Sequence, residues 1–583
     1  MQNFRKILRN LGMPSKNELR DIVISFSRRE RRVFSVLVIV LIVSTIGILG
    51  KLNNSFMVGV PIQGGSIREG IIGTPRFINP ALAISDTDKD LTSLIYSGLM
   101  RKGADGKLIP DLAEGYEVSE DGATFTFLLK ENIYFHDGEP VTVEDIIFTI
   151  NTIKDPLNKS PKKSNWDGVD VEKVDDRTIV FSLKGAYSSF LDNTTLGILP
   201  LHLWENSPIE LNEANINPIG SGPFMIDSFN KESSGIIDQY ELKAFKKFSL
   251  GTPYIKRITL KFYPNENDLL TGLKDGEIDQ ISSITPENAE TLKEKGYKIE
   301  SAVLPRVFGL FFNQSQNQIF TDKSVIKAMD QAIDKNRIIR EVLKGYGIPI
   351  EDPIPNSIVS FEKLSGGIST REENLKKAEE TLTKGGWQKN AEGILEKTTT
   401  DSKKKKTTSR IEFSISTGNA PELVKSAELI QEDLRALGMI VDIKTFESGN
   451  LSQVVIRPRK YDALLFGEII NHESDLFAFW HSSQRKDPGL NVAMYTNAKV
   501  DKILEDAFVT VKEEDRVKKY LQFQDEIRKD MPAVFVYSPS FIYAVSPELN
   551  NLSIENITSP GDRFLNSYLW YTKTDKVWKI FSK

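Results

Sequence analysis

Past one long apolar block near the N-terminus, apolar and polar residues alternate in short runs, and further along the chain this period of two gives way to a helical period. In ATFTFLLK (123–130), Phe125, Phe127 and Leu129 share one face. RTIVFSLK (177–184) repeats the pattern with Ile179, Phe181 and Leu183, so both segments predict half-buried strands. The HDG run at His136–Gly138 predicts a tight turn between them, with His136 in a structural role. Later, Leu423, Ala427, Ile430, Leu434 and Leu437 recur at helical spacing, with Asn419 as N-cap, Pro421 near the start and Gly438 as the stop. This helix lies between IEFSIS (411–416) and MIVDIKTF (439–446), which predicts a βαβ unit with parallel strands. A second amphipathic helix is expected over Ser324–Leu343, carrying Val325, Met329, Ala332 and Ile333 and ended by Gly345. The tract KTTTDSKKKKTTSR (397–410) is charged and low in complexity and reads as a disordered inserted loop.

The apolar block itself, VFSVLVIVLIVSTIGIL (Val33–Leu49), is uncharged over seventeen residues, at the short end of a membrane span. Arg28, Arg29, Arg31 and Arg32 precede it and only Lys51 follows closely, which orients the N-terminus to the cytoplasm and the body outside. A cleaved signal peptide is the alternative. The 32 residues before the block are long for one, and no A-x-A-like site follows it. The expected order is a basic cytoplasmic segment (1–32), a signal anchor (33–50), a polar linker (51–65) and a folded body from about Ser66. Within residues 1–27, either a basic surface helix or a solvated tail fits.

Composition narrows the function classes. The 583 residues carry a net charge of −5, and the +6 of the first 32 residues leaves −11 on residues 51–583. An acidic body argues against a nucleic-acid partner, which requires a basic face. There is no cysteine, hence no disulfide, thiolate metal site, Cys nucleophile or lipid-modified Cys. The four histidines show no metal-ligand spacing, so no metal or cofactor is expected. GSGPF (220–224) lacks the Lys-Ser/Thr of a phosphate loop and reads as a tight turn before a strand, and no G-x-S-x-G elbow occurs. Nothing singles out a carboxylate pair for hydrolysis, so a binding protein is favoured over an enzyme.

Several segments, in order, resemble the family 5 extracytoplasmic solute-binding proteins of ABC importers, the oligopeptide-, dipeptide- and nickel-binding type. They include TPRFINPALAISDTDKDLTSLIYSGLM (74–100), LIPDLAEGYEVSEDGATFTFLLKENIYFHDGEPVTVEDIIFTI (108–150), ILPLHLWE (198–205) and IGSGPF (219–224). LKDGEIDQIS (273–282), LFFN with VIKAMDQAIDKNRII (310–339), YDALLFGE (461–468), DLFAFWHSSQ (475–484), GLNVAMYTNAKVDKILEDA (489–507) and MPAVFVYSP (531–539) continue the series. The resemblance implies an α/β, two-lobed periplasmic-binding-protein type II fold with an extra subdomain in the first lobe, here behind an N-terminal transmembrane helix. Domain I would comprise 66–110, 220–310 and 540–583, the subdomain 111–219 and domain II 311–539, with hinge crossings near Phe312 and Ser538.

It further implies a monomer that captures a peptide or other small solute and delivers it to ABC permease subunits. A sensor or scaffold ectodomain without a transporter, or a hydrolase, are the rival readings. Ligand-binding candidates on or between the matching segments are Asn313, Glu468, Asn471, His472, Asp475, Trp480 and Tyr537. In peptide-binding members a Gly-Trp pair is followed three residues on by an Asp that pairs with the ligand's α-ammonium. Aligned on Gly467, Glu468 takes the Trp position and Asn471 the Asp position. A neutral amide cannot form that ion pair, which leaves Glu468, Glu473 and Asp475 as substitutes.

Overall fold

The two alternating segments are adjacent strands of a four-stranded antiparallel sheet in the computed structural model, which describes residues 16–187, 189–355, 370–400 and 406–581. Thr124–Leu129 pairs with Thr178–Leu183, and Ala113–Val118 and Val169–Lys173 flank them. Phe125, Phe127, Phe181 and Phe190 pack with Trp166 as the core beneath it.

The chain divides into two compact units, residues 1–62 with 573–583 and residues 63–572. In the first, a helix spans Arg28–Phe56, opened by a capping box between Ser27 and Glu30, and none of its residues is buried. At 1.5 Å per residue its 29 residues reach about 43 Å, enough to cross a hydrocarbon core of about 30 Å. A shorter helix, Lys16–Ser25, precedes it. The expected 51–65 linker is replaced by the end of the long helix and a strand, Met57–Pro61. That strand pairs antiparallel with Thr574–Trp578, and Phe56 stacks on Trp578 at 6.4 Å. Residues from Lys573 onward therefore join this unit and not the domain I to which 540–583 was assigned. The β-branched and aromatic residues of both segments suit a ladder that no local pattern reveals.

The second unit is organised around a mixed twelve-stranded sheet whose central strand is Ala533–Val545. Its C-terminal half pairs with Lys298–Val303 and Gln280–Ser282, on the side that continues through Ser66–Ile72, Arg257–Tyr263, Ile237–Ala244 and Phe224–Lys231. Its N-terminal half pairs with Arg306–Phe312, which leads to Ala463–Ile469, Glu412–Gly418 and Ile440–Phe446. Each side has its own apolar core, which makes two lobes. The chain passes between them at Leu304–Pro305 and at Ser538–Pro539, where the Leu304 N–H donates to the Pro539 carbonyl. The first crossing thus falls ahead of Phe312, which is buried in the second lobe's core.

The βαβ unit forms as its spacing requires. Glu412–Gly418 and Ile440–Phe446 are parallel neighbours around the helix Pro421–Leu437, which buries Ala427, Ile430, Leu434 and Leu437. Gly438 ends it at φ +97°, a conformation that glycine adopts without strain. The N-cap is Ala420 rather than Asn419. The helix expected over Ser324–Leu343 is two helices, Lys323–Ala332 and Lys335–Glu341, because Asp334 caps the second through the Arg337 N–H. The tract 397–410 is also not simply a loop. Leu395–Thr400 and Lys406–Arg410 form a hairpin, with Thr398 and Thr408 hydroxyls 3.0 Å apart, while 401–405 lie outside the described residues. Threonine's branched side chain favours the extended backbone that low complexity obscured.

Two polar clusters fix the first lobe. Arg563, fully buried, donates to Glu69 Oε1 from Nε (2.8 Å) and Nη2 (2.6 Å), and to Asp90 through Nη1 (2.8 Å) and Nη2 (2.7 Å). Tyr543 and Gln280 complete Glu69's bonding, so five separate chain segments meet there. The other cluster joins the His136 turn to GSGPF. His136 Nδ1 accepts from the Gly220 N–H (3.3 Å), and Nε2 donates to the Gly222 carbonyl (3.0 Å), so the ring is held neutral. Burial pushes its pKa down to about 4, against the opposing pull of the Gly222 carbonyl. Neither glycine tolerates a side chain, since a Cβ on Gly220 would lie 2.2 Å from the Ile95 carbonyl oxygen.

Candidate functional site

Where the second lobe faces the first lobe and the segment 111–219, a cavity of ≈ 400 Å³ remains. The helix Asp86–Ile95 and the strand Met100–Lys102 supply Lys89, Thr92, Ser93, Arg101 and Lys102. Lys162, Trp166, Asp192 and Asn193 come from the four-stranded subdomain, and Asn471 and His472 from the second lobe. Thr558, Ser559 and Asp562 close the remaining side.

The lobes touch across this cavity. His472 Nδ1 lies 3.6 Å from Asp192 Oδ2, and Tyr187 stacks on Phe508 at 5.0 Å with the rings 15° apart. Burial opposes charge on His472, but Asp192 and Asp475 outweigh it and raise the imidazole above its ordinary range. Asp475 sits at the start of the short helix Asp475–Trp480 and accepts the backbone N–H groups of Asn471 (2.8 Å) and His472 (3.0 Å). It therefore holds the cavity-lining turn from behind.

Of the seven candidates, Asn471 and His472 line the cavity. The other five lie elsewhere. Trp480 is buried among Phe311, Tyr495, Phe523 and Phe535, and Tyr537 is buried with its ring stacked on Phe308 at 4.9 Å. Both are core residues here, since aromatics on a two-sided sheet bury on whichever face packs. Asn313 is buried and donates to the Arg459 carbonyl at 2.9 Å, a loop-fixing role. Glu468 is buried beside Val307 on the neighbouring strand, and neither of its carboxylate oxygens has a hydrogen-bond partner. Burial raises its pKa well above the ordinary carboxylate value. Glu473 is engaged by Arg516, although burial still outweighs that cation and raises its pKa. None of the three substitute acids is thus free in the cavity. The lysines at 89, 102 and 162 were not legible as site residues, because a lysine in a chain that is 27% charged carries no local mark.

The comparisons with known proteins agree with this architecture. Residues 107–488 match the sequence profile of the bacterial extracellular solute-binding proteins, family 5 Middle. The oligopeptide-binding protein AppA of Bacillus subtilis is 30% identical over 499 residues, covering 83% of this chain and 88% of that protein. Its structure in complex with a nonapeptide superposes with a TM-score of 0.65 at 28% identity, over 88% of this chain and 99% of that one. NikZ of Campylobacter jejuni, solved in complex with Ni(L-His), superposes with a TM-score of 0.67 at 27% identity, over 87% of this chain and 99% of that one. With the profile matched across both lobes and a relative aligned over most of both chains, this chain belongs to the family 5 bacterial extracellular solute-binding proteins.

Proposed function

We propose that the protein captures a short peptide between its lobes and delivers it to the permease subunits of an ABC importer. The observation that carries this reading is the cavity itself, lined from both lobes and bridged by His472 and Asp192, which is what a closing two-lobed binder requires. Its ≈ 400 Å³ is toward the small end of ligand pockets, which favours a few residues over a long chain. The residues around it support binding rather than catalysis, since each acid that lines it is already bonded. Domain I is read as 66–110, 220–310 and 540 to about 572, the subdomain as 111–219 and domain II as 311–539.

Helix Arg28–Phe56 serves in this reading as an uncleaved anchor that leaves the body outside the membrane. N-terminal sequencing of the native membrane form should return the intact N-terminus, and a start after residue 50 would overturn the anchor.

Binding should also depend little on a free ligand N-terminus, because Asn471 offers an amide and Glu468, Glu473 and Asp475 are buried or engaged. Calorimetry of the full chain in detergent micelles against a tetrapeptide and its N-acetylated twin should give affinities within about threefold. Losing a buried ion pair to an ammonium would instead cost about 2–5 kcal/mol, roughly 30-fold or more. A loss of that size would mean that an acid does capture the amine, and binding of neither form, nor of other short peptides, would overturn the peptide reading.

A further inference from the structure

The charged groups that line the cavity are not balanced in what they leave free. Every acid there has a partner. Asp111 accepts Arg101 Nε at 2.7 Å, and Asp192 faces His472. Asp562 accepts the Thr558 N–H (2.8 Å) and hydroxyl (2.7 Å) and the Ser559 N–H (3.1 Å) and hydroxyl (2.8 Å, to its second oxygen). Arg101 is also spent, since Nη1 donates to the Leu565 carbonyl at 2.8 Å and Nη2 to Ser97 Oγ at 3.2 Å. Lys102 and Lys162 line the same cavity, and among the described residues neither ammonium has a hydrogen bond or ion pair. Among the described residues the Lys89 ammonium reaches only Asp86, at 3.9 Å on the exposed side.

We propose that Lys102 and Lys162, with Lys89 beside them, form a carboxylate subsite, so that the captured peptide presents a carboxylate to the first lobe and the subdomain. The carboxylate is either the peptide's C-terminus or an acidic side chain. This inference rests on the peptide reading above and specifies its ligand.

Three physical points support it. An ammonium taken partly out of water without a counter-ion is costly, and a carboxylate arriving there removes that cost while forming charge-assisted bonds. Burial lowers the pKa of both lysines, Lys102 against the pull of Asp562 and Asp192, and Lys162 to about 8 with Lys89 adding like-charge repulsion. A solvated surface lysine would show neither effect. Finally, Lys102 belongs to the first lobe and Lys162 to the subdomain, so one anion would tie together two of the walls that surround it.

The test uses the full chain in detergent micelles and four tetrapeptides, Ala-Ala-Gln-Ala and Ala-Ala-Glu-Ala, each as free acid and as C-terminal amide, with affinities from calorimetry. The expected result is that at least one carboxylate-bearing form binds tenfold or more tightly than the neutral Gln amide. If the Glu amide retains the advantage, the side chain is the source; if only the free acids do, the C-terminus is. The double variant Lys102→Met, Lys162→Met should erase that preference, so that on this variant the carboxylate-bearing forms bind no more tightly than the neutral amide, while Lys102→Arg, Lys162→Arg restores it. Should the double variant misfold, the single Lys162→Met variant should reduce the preference on its own. Equal binding of all four peptides by the wild type would overturn the subsite and leave the peptide reading standing, as would a double variant that keeps the preference. Failure of all four, and of a mixed library of short peptides, would overturn both.

Discussion

Replacing Arg563 with methionine should lower the unfolding free energy by about 3–5 kcal/mol, because it leaves Glu69 and Asp90 buried without their cation. The guanidinium is the hub of the first lobe. It links the strand Ser66–Ile72, the helix Asp86–Ile95 and the segment Pro560–Phe564, and all of these side chains are almost fully withdrawn from water. A lysine would not substitute, since the geometry uses two parallel N–H bonds to Asp90 and two more to a single oxygen of Glu69. Urea denaturation of the wild type, Arg563→Met, and the triple variant that adds Glu69→Gln and Asp90→Asn provides the measurement. The single variant should be the least stable of the three, because the triple variant removes the uncompensated charges along with the arginine. A loss below about 1 kcal/mol in the single variant would show that the buried acids neutralise at little cost.

The stability–pH profile should carry two limbs of opposite sign, set by Glu468 and His136. Glu468 keeps its proton in the folded protein above its ordinary pKa, whereas the unfolded chain releases it above about pH 4.5. The stabilising contribution of the protonated group is thus present below that pH and is lost as pH rises toward the folded value. Glu468→Met, of similar volume, should therefore raise stability at pH 7–8 by about 1–3 kcal/mol, the usual cost of an unpartnered buried polar group. At pH 4, where the folded and unfolded chains both hold the proton, the gain should be smaller. His136 works in reverse. Its folded pKa of about 4 lies below the ordinary 6.5, so stability is full above about pH 6.5 and falls as the unfolded chain takes up a proton first. At 1.36 kcal/mol per pH unit the loss approaches about 3 kcal/mol near pH 4, and His136→Gln should flatten that limb. Denaturation curves at several pH values, taken as variant minus wild type, isolate each group. An unchanged difference between pH 4 and pH 8 for Glu468→Met would refute the buried carboxylic acid.

What the sequence by itself determined are the features set by neighbours along the chain. Alternation placed Phe125, Phe127 and Ile179 on the buried face of two strands, because successive side chains of a strand point to opposite sides. Helical spacing and Gly438 defined the helix Pro421–Leu437, and a connection of that length made its flanking strands parallel. The charge step around Val33–Leu49 and the ordered series of family-like segments were likewise legible, and with them the two-lobed class.

The tertiary structure decided whatever depends on a partner distant in sequence. Met57–Pro61 and Thr574–Trp578 pair although the whole second unit lies between them in sequence, and nothing in either segment names the other. Trp480 and Tyr537 lie on segments that could face a cleft or a core, and packing against Phe535 and Phe308 made them core. One helix became two because Asp334 found the Arg337 N–H, a local capping bond that outweighed an unbroken apolar period. The lysines of the cavity show the same dependence most sharply. A charged side chain's role is set by which opposite charges come within bonding distance, and among the described residues the fold brought such partners to Asp111, Asp192 and Asp562 but not to the Lys102 and Lys162 ammoniums.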